Sequence, residues 1–140
     1  MRIAVALLCV LTLGACSKPQ EAQPTESAPA AVSAPDPWPG KYEGDLMVNV
    51  SGYPGGRKVW LIEAKADGCT GDIGVADQGV PAKDVADNAI DVVLAAKTDA
   101  PSCTIHLRRS GHVVTVSEGS GCAAYHGATC GFNGRANRVK

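Results

Sequence analysis

Short runs of alternating apolar and polar residues, separated by glycine-containing turns, most constrain how this chain can fold. Leu46, Val48 and Val50 occupy every second position of one run, and Val114 and Val116 repeat the pattern near the C-terminus. Alternation with a period of two is typical of a β-strand with one buried face. Further strand-like runs cover residues 57–66, 72–77, 89–97 and 103–109. The pattern predicts an all-β fold, a small antiparallel barrel or sandwich of about 7–8 short strands.

Turn signals and a thin core refine this prediction. Ser110-Gly111 lies between two strand-like runs and indicates a tight hairpin. Residues 82–89 have weak helical periodicity, so we expect one short helical turn there. Large aromatic residues are few, and the core must be built mainly from Val, Ile, Leu and Ala. A small domain with such a core benefits from covalent cross-links.

The N-terminus indicates export and lipid attachment. Arg2 precedes an apolar run from Ile3 to Leu13, which is shorter than the roughly 20 residues that a membrane-spanning helix needs. Leu13-Gly14-Ala15-Cys16 resembles the lipobox of bacterial lipoproteins at every position. That resemblance implies that residues 1–15 are a signal peptide and that Cys16 becomes a lipid-modified N-terminus. Ser17 favours the outer membrane by the same resemblance, with the domain in the periplasm or at the cell surface.

Residues 16–40 are expected to be the lipidated cysteine followed by a disordered tether. Most of the nine prolines lie here, among Ala, Ser, Glu and Gln. Such a segment has little apolar surface to bury and cannot offset the entropy of ordering. Trp38 is the exception, and we expect it to pack on the edge of the fold. Residues 41–140 have the length of one small domain.

Four cysteines belong to the expected domain, because Cys9 leaves with the signal peptide and Cys16 is lipidated. They are Cys69, Cys103, Cys122 and Cys130. An even number in an exported domain predicts disulfides, and four cysteines allow three pairings. We favour Cys69–Cys103 with Cys122–Cys130, because the second pair would enclose a short glycine-containing loop.

His126 lies midway between Cys122 and Cys130, which raises the alternatives of a metal site or a cysteine–histidine nucleophile. Gly127 disfavours the helix that would align these three residues, and no further ligand completes a four-ligand zinc set. A nucleophile needs a free thiol, which an oxidising compartment removes. We therefore expect neither a metal nor a cofactor. The prediction is a disulfide-closed loop that presents Tyr125 and His126.

No other pattern indicates catalysis. Gly119-Ser120-Gly121 lacks the flanking residues of the nucleophile elbow Gly-x-Ser-x-Gly. His106 alternates with the apolar positions of its strand, so we expect it to face outward beside Arg108. We therefore expect a protein that is not an enzyme. The expected compartment excludes nucleic acid as a partner.

Charge is distributed unevenly along the sequence. Residues 63–99 contain eight acidic and three basic residues, whereas residues 100–140 contain one acidic and five basic residues. If the strand order keeps these halves apart, the domain has one acidic and one basic face. An acidic face would attract cationic partners and speed their encounter. Arg135, Arg138 and Lys140 would suit anionic lipid headgroups or cell-wall polymer.

Residues 120–125 carry a further resemblance. A small disulfide-linked β domain on an outer-membrane tether is similar to the bacterial membrane-bound inhibitors of c-type lysozyme, whose Ser-Gly-x-x-Tyr loop enters the lysozyme cleft. Here Ser120-Gly121 precedes Tyr125 with one residue more than that motif. The resemblance implies an envelope binding protein in which Ser120, Tyr125 and His126 contact a lysozyme-like hydrolase. The alternative is a structural lipoprotein that contacts peptidoglycan or an outer-membrane complex through its basic C-terminal strand.

Overall fold

The computed structural model describes residues 34–64 and 68–140, and the architecture of these residues is all-β, as predicted. The strands are β1 (Gly40–Gly44), β2 (Met47–Ser51), β3 (Lys58–Ala64), β4 (Thr70–Ile73), β5 (Val80–Ala86), β6 (Ala89–Leu94), β7 (Cys103–Ser110), β8 (Val113–Glu118) and β9 (Gly134–Arg138). A 3-10 turn, Cys122–Tyr125, lies between β8 and β9. Within the described ranges, no helix has the length and apolarity needed to cross a membrane.

Eight of the strands close into an antiparallel barrel, so the barrel is the correct one of the two predicted architectures. The hydrogen-bonded order is β2-β1-β9-β8-β7-β6-β5-β3, and β2 also pairs with β3, which closes the ring. The ninth strand, β4, pairs with the C-terminal part of β3, where Leu61 is opposite Ile73. The N-terminal part of β3 pairs with β5 through Lys58 and Pro81.

Period-two alternation decides which side chains fill the barrel. Leu46, Val48 and Val50 are all buried, whereas Met47 between them is 42% exposed. The interior is completed by Tyr42, Val59, Leu61, Ile90, Val92, Ile105, Leu107, Val114, Val116, Phe132 and Ala136. Full burial of a Val, Leu, Ile or Phe side chain contributes about 1.5–3 kcal/mol, so this filled interior is the main source of stability.

Residues 82–89 form part of a β-hairpin, and the predicted helical turn is wrong. Ala82 pairs with Val92, and the register shifts between Asp84 and Ala86. A bulge of this kind places two residues of one strand opposite one residue of the next, which interrupts strict alternation. The predicted hairpin at Ser110 is confirmed, because Gly111 and His112 form a two-residue turn between β7 and β8.

The two ends of the barrel carry different parts of the chain. The described chain begins at one end, which we call the entry end; it comprises residues 34–41, 51–58, 84–89, 108–113 and 137–140. The other end, which we call the disulfide end, comprises residues 43–47, 63–64, 68–73, 94–103 and 118–135.

Two disulfides form, but the pairing favoured from the sequence is wrong. Cys69 is bonded to Cys130, and Cys103 is bonded to Cys122. Cys103 begins β7 and Cys122 follows β8, and because these strands pair, the two Cα atoms lie 4.6 Å apart. An isolated β-bridge joins Gly71 to His126. It brings the two neighbouring segments together, and the Cα atoms of Cys69 and Cys130 lie 5.7 Å apart.

Candidate functional site

The inward-facing alternation ends in charged residues at both mouths of the barrel. At the entry end, Arg57 continues the buried series of β3, and Arg109 and Arg138 continue those of β7 and β9. At the disulfide end, the buried series of β3 ends in Glu63 and that of β8 ends in Glu118. The sequence analysis missed the entry-end site, although a signal exists: each arginine keeps the parity of the apolar residues in its strand.

Trp38 seals the entry mouth. Its side chain is 1% exposed and belongs to the core, so the expectation of a position on the edge of the fold is corrected. Its indole Nε1 donates a hydrogen bond to the carbonyl oxygen of Asp87 at 3.2 Å. The guanidinium carbons of Arg57 and Arg109 lie 5.9 and 5.7 Å from the ring centroid, within the range of cation–π contacts. The compact unit that contains the barrel begins at Ala34.

Arg57 ties the N-terminal segment across this mouth. Its side chain is 1% exposed, and it forms ion pairs of 2.9 Å with Asp36 and 2.8 Å with Asp84. Burial alone would raise the pKa of Asp36, but hydrogen bonds from the Trp38 backbone N–H and the Arg57 guanidinium hold that pKa below its usual value. Asp36 is thus kept ionised, and the seal is held by charge as well as by apolar contact.

Two open cavities lie on the entry end beside this seal. The larger, about 770 Å³, is lined by Trp38, Arg57, Asp84 and Arg109, with Pro54 and Val85 at its sides. The smaller, about 370 Å³, is lined by Arg109 and Arg138 together with Pro35, Asp36, Pro37, Gly111 and His112. Arg109 borders both cavities.

Two carboxylates hold the segment that seals the disulfide mouth. The backbone N–H of Gly131 donates to Glu63 at 2.8 Å, and that of Phe132 donates to Glu118 at 2.9 Å. His126 Nε2 lies 3.1 Å from a Glu118 oxygen, and the imidazole meets the Phe132 ring edge-on with centroids 5.2 Å apart. Each mouth is therefore sealed by a chain segment that is bound to inward-facing charged side chains. These side chains include both cations and carboxylates at the entry end, and they are carboxylates at the disulfide end.

The structure corrects the expected presentation of Tyr125 and His126. Tyr125 is half-buried, and its hydroxyl lies 3.3 Å and 3.2 Å from the carbonyl oxygens of Ala95 and Pro101. The His126 side chain is 5% exposed. Between Ser120 and Tyr125, the exposed residues are Ser120, Ala123 and Ala124.

The cysteines beside His126 do not form a metal or nucleophile site in this structure. Cys122 and Cys130 are bonded to different cysteines outside the segment, so neither supplies a free thiol. The predicted small loop closed by these two residues is therefore absent. Across residues 34–64 and 68–140, no group of three or more His, Cys, Asp and Glu side chains is arranged to hold a metal ion.

His106 faces outward beside Arg108, as predicted. His106 Nδ1 and Arg108 Nη1 each lie 2.9 Å from the same Asp91 oxygen. Burial would raise the pKa of Asp91, but the hydrogen bonds from His106 and Arg108 lower it below its usual value. This cluster lies on the outer wall of the barrel and satisfies its own charges.

Charge separates along the barrel axis and not between the two halves of the sequence. The cations of the entry end are Lys41, Arg57, Lys58, Arg108, Arg109, Arg138 and Lys140, and its carboxylates are Asp36, Asp84 and Asp87. Two further carboxylates lie beside this end: Asp91, which pairs with Arg108, and Asp77, in the turn that packs against Lys58. The carboxylates of the disulfide end are Glu43, Asp45, Glu63, Asp72, Asp99 and Glu118, and its described cations are Lys97 and Arg135. Arg135 and Arg138 therefore lie toward opposite ends, although they belong to one strand.

Comparison of the chain with protein-family models, with curated proteins and with solved structures finds no match. The lipobox, with Cys16, lies outside the described residues, so lipid attachment stays a prediction. The two oppositely charged ends of the barrel are the features from which a function can be inferred.

Proposed function

We propose that this chain is a lipid-anchored binding protein of the bacterial envelope that contacts a cationic protein through its disulfide end. A lysozyme-like hydrolase is the partner that the Ser120–Tyr125 resemblance suggests. The observation that carries the proposal is the combination, at one end of the barrel, of an exposed, well-anchored loop and a group of exposed carboxylates.

The loop from Ser120 to Tyr125 is held in one conformation at several points. Cys122 is covalently fixed to β7, and Tyr125 is anchored by two carbonyl oxygens. Gly121 has φ +86°, and a Cβ atom there would lie 2.1 Å from the Ser102 carbonyl oxygen. A loop that is already ordered loses little entropy on binding. Its exposed residues, Ser120, Ala123 and Ala124, have short side chains that allow close approach.

The carboxylates around this loop supply electrostatic attraction. Glu43, Asp45, Asp72 and Asp99 are all exposed at the disulfide end. A surface of one sign accelerates encounter with a partner of the opposite sign, and salt weakens the effect. The disulfide end lies opposite the end of the barrel at which the described residues begin.

A c-type lysozyme tests the proposal. The unacylated chain, residues 17–140, is mixed with the enzyme, and both binding and hydrolysis of cell walls are measured at several salt concentrations. We expect inhibition at micromolar concentration or below that weakens as salt rises. Ala124→Arg adds bulk and positive charge to the loop and should weaken inhibition by at least about tenfold. Ala86→Arg makes the same change on an exposed residue of the entry end and should leave inhibition unchanged.

The absence of binding at micromolar concentration would remove the hydrolase as partner. Equal losses in the Ala124 and Ala86 variants would show that the disulfide end is not the contact surface.

The alternative, a structural lipoprotein that contacts peptidoglycan or an outer-membrane complex through its C-terminal strand, is supported by the position of Arg138 at the basic entry mouth. Arg135 does not share that surface, because its backbone pairs with Asp45 at the other end. Photo-crosslinkers at Val139 and at Ala124, both exposed, would separate the two functions in cells. Envelope polymer captured from Val139 alone would favour the alternative.

A further inference from the structure

Two arginines at the entry mouth have no carboxylate within ion-pair distance among the described residues. Arg109 Nη1 donates to the Gly111 carbonyl oxygen at 3.0 Å, and its Nε is buried without a hydrogen-bond partner. Arg138 Nη2 donates to the Tyr42 hydroxyl at 2.9 Å and to the carbonyl oxygen of Pro37. These bonds to neutral oxygens orient both guanidinium groups but do not neutralise them.

The smaller cavity lies between these two guanidinium groups. Its volume is about 370 Å³, and His112 and Pro37 contribute to its walls. One carboxylate, Asp36, also lines it; that carboxylate is paired with Arg57 at 2.9 Å, and the nearby charge of Arg109 also helps to lower its pKa. The cavity is open to solvent and has an excess of positive charge, which suits a phosphate group better than a cation or a neutral apolar ligand.

Exposed cations extend this positive charge over the whole entry end. Lys41, Lys58 and Lys140 are exposed around the mouth, and His112 lies at the tip of the β7–β8 hairpin. The disulfide end has the opposite charge, so the domain carries a dipole along the barrel axis. The positive pole is the end at which the described chain begins.

We infer that the entry end docks on the anionic phospholipid headgroups of the membrane that carries the anchor, with a headgroup phosphate between Arg109 and Arg138. The inference rests on the proposed lipid attachment of Cys16 and not on the hydrolase partner. Stable membrane attachment is typically achieved by a lipid together with a second signal such as a basic patch. Here the basic patch lies at the end of the barrel where the described residues begin, at Ala34.

Vesicle binding by the unacylated chain, residues 17–140, tests the inference without the anchor. Vesicles of phosphatidylcholine with phosphatidylglycerol should bind the chain, binding should fall with salt, and pure phosphatidylcholine should not bind it. Each cation near an anionic surface strengthens binding about fivefold, so Lys41→Gln with Lys140→Gln should weaken it about 25-fold. The control pair, Lys97→Gln with Arg135→Gln, removes the same charge from exposed sites of the disulfide end and should not weaken binding.

Arg109→Gln reports on the cavity itself and should weaken vesicle binding about fivefold in a protein whose thermal unfolding shows that it is folded. If Arg109→Gln does not fold, the double variant Lys41→Gln with Lys140→Gln still tests the inference. Equal binding to neutral vesicles, or equal losses in the two pairs, would overturn the inference. Displacement by millimolar inorganic phosphate that exceeds displacement by sodium chloride at equal ionic strength would identify a site for free anions and would also overturn it.

Failure of this inference is distinguishable from failure of the proposed function. Suppose that the mature protein carries lipid on Cys16 and inhibits lysozyme, but that its unacylated form does not bind anionic vesicles. In that case only the docking inference is lost. If vesicle binding is found and lysozyme binding is not, the docking surface stands and the hydrolase partner is removed.

Discussion

Replacement of Arg57 by methionine should destabilise the domain strongly at neutral pH and much less in acid. Methionine preserves most of the apolar length of the side chain but removes the guanidinium group. Asp36 and Asp84 would then face each other at the entry mouth without the cation that they share. Trp38 would lose one of its two cation–π partners.

The expected loss follows from the exposure of the three side chains. Removing one member of a buried ion pair typically costs about 3–5 kcal/mol, because a charge is left uncompensated. Arg57 is 1% exposed, but the side chains of Asp36 and Asp84 are 16% and 29% exposed and keep some access to water. We therefore expect the free energy of unfolding to fall by about 3 kcal/mol at pH 7, the lower end of that range.

The pH dependence follows from the lowered pKa of Asp36. A carboxyl group whose folded pKa lies below its unfolded value stabilises the fold above the unfolded value, and this stability is lost as pH falls through the folded pKa. For Asp36, whose reference value is 3.8, the loss in the native protein therefore occurs below that pH. Without Arg57, Asp36 keeps the hydrogen bond from the Trp38 backbone and the nearby charge of Arg109 but loses both contributions of Arg57, so its pKa lies above the native value. Protonation of Asp36 therefore relieves the variant at a higher pH than in the native protein. The difference in the free energy of unfolding between the native protein and the Arg57→Met variant should therefore narrow as the pH falls from 7 toward 4.

Urea unfolding followed by tryptophan fluorescence measures this difference, since the Arg57 guanidinium lies 5.9 Å from the Trp38 ring. Arg108→Met is the matched control: Arg108 is 46% exposed and pairs with Asp91 on the outer wall, so its loss should cost less than about 1 kcal/mol. The reasoning would be refuted if Arg57→Met lost less than the control, or if its deficit were the same at pH 4 and pH 7.

Two further variants test the disulfide end. Cys103→Ser with Cys122→Ser opens a link across 19 residues and should lower the free energy of unfolding by about 3 kcal/mol in the loop-entropy model, measured in urea without reductant; an unchanged midpoint would contradict the pairing. Gly121→Ala forces a Cβ to within 2.1 Å of the Ser102 carbonyl oxygen and should lower stability by about 1–3 kcal/mol in a thermal melt. Gly55→Ala, with φ +83° and no atom within 4 Å, should cost less, and equal costs would show that the close contact is not rigid.

Strand positions were predictable because a filled barrel imposes strict alternation. Val114 and Val116 face inward and Thr115 faces outward, as their spacing indicates. The pattern failed at residues 82–89, where the bulge after Asp84 breaks the alternation that sequence reading depends on. A local irregularity of this kind arises from pairing with β6 and leaves no separate signal in the sequence.

The disulfide pairing was not predictable, because it depends on which strands are neighbours. Cys122 and Cys130 are close in sequence, but Cys122 follows β8, and β8 pairs with the strand that begins at Cys103. Cys130 instead meets Cys69, across a sequence separation of 61 residues. Tyr125 and His126 were misjudged for the same reason, since their burial depends on contacts with distant parts of the chain.

The entry-end site could be predicted only in part. The inward parity of Arg57 and Arg109 could be read from their strands, but their role depends on Trp38, which arrives from the proline-rich segment. An apolar barrel interior leaves two mouths that water would otherwise enter, and each must be covered by a chain segment. Here inward-facing charged side chains bind those segments. The remaining charges make the entry end positive and the disulfide end negative. Arg109 and Arg138 belong to both sets, because they border the sealed entry mouth and also line the cavity proposed for a phosphate. Stability and binding must therefore be measured together in variants of either arginine.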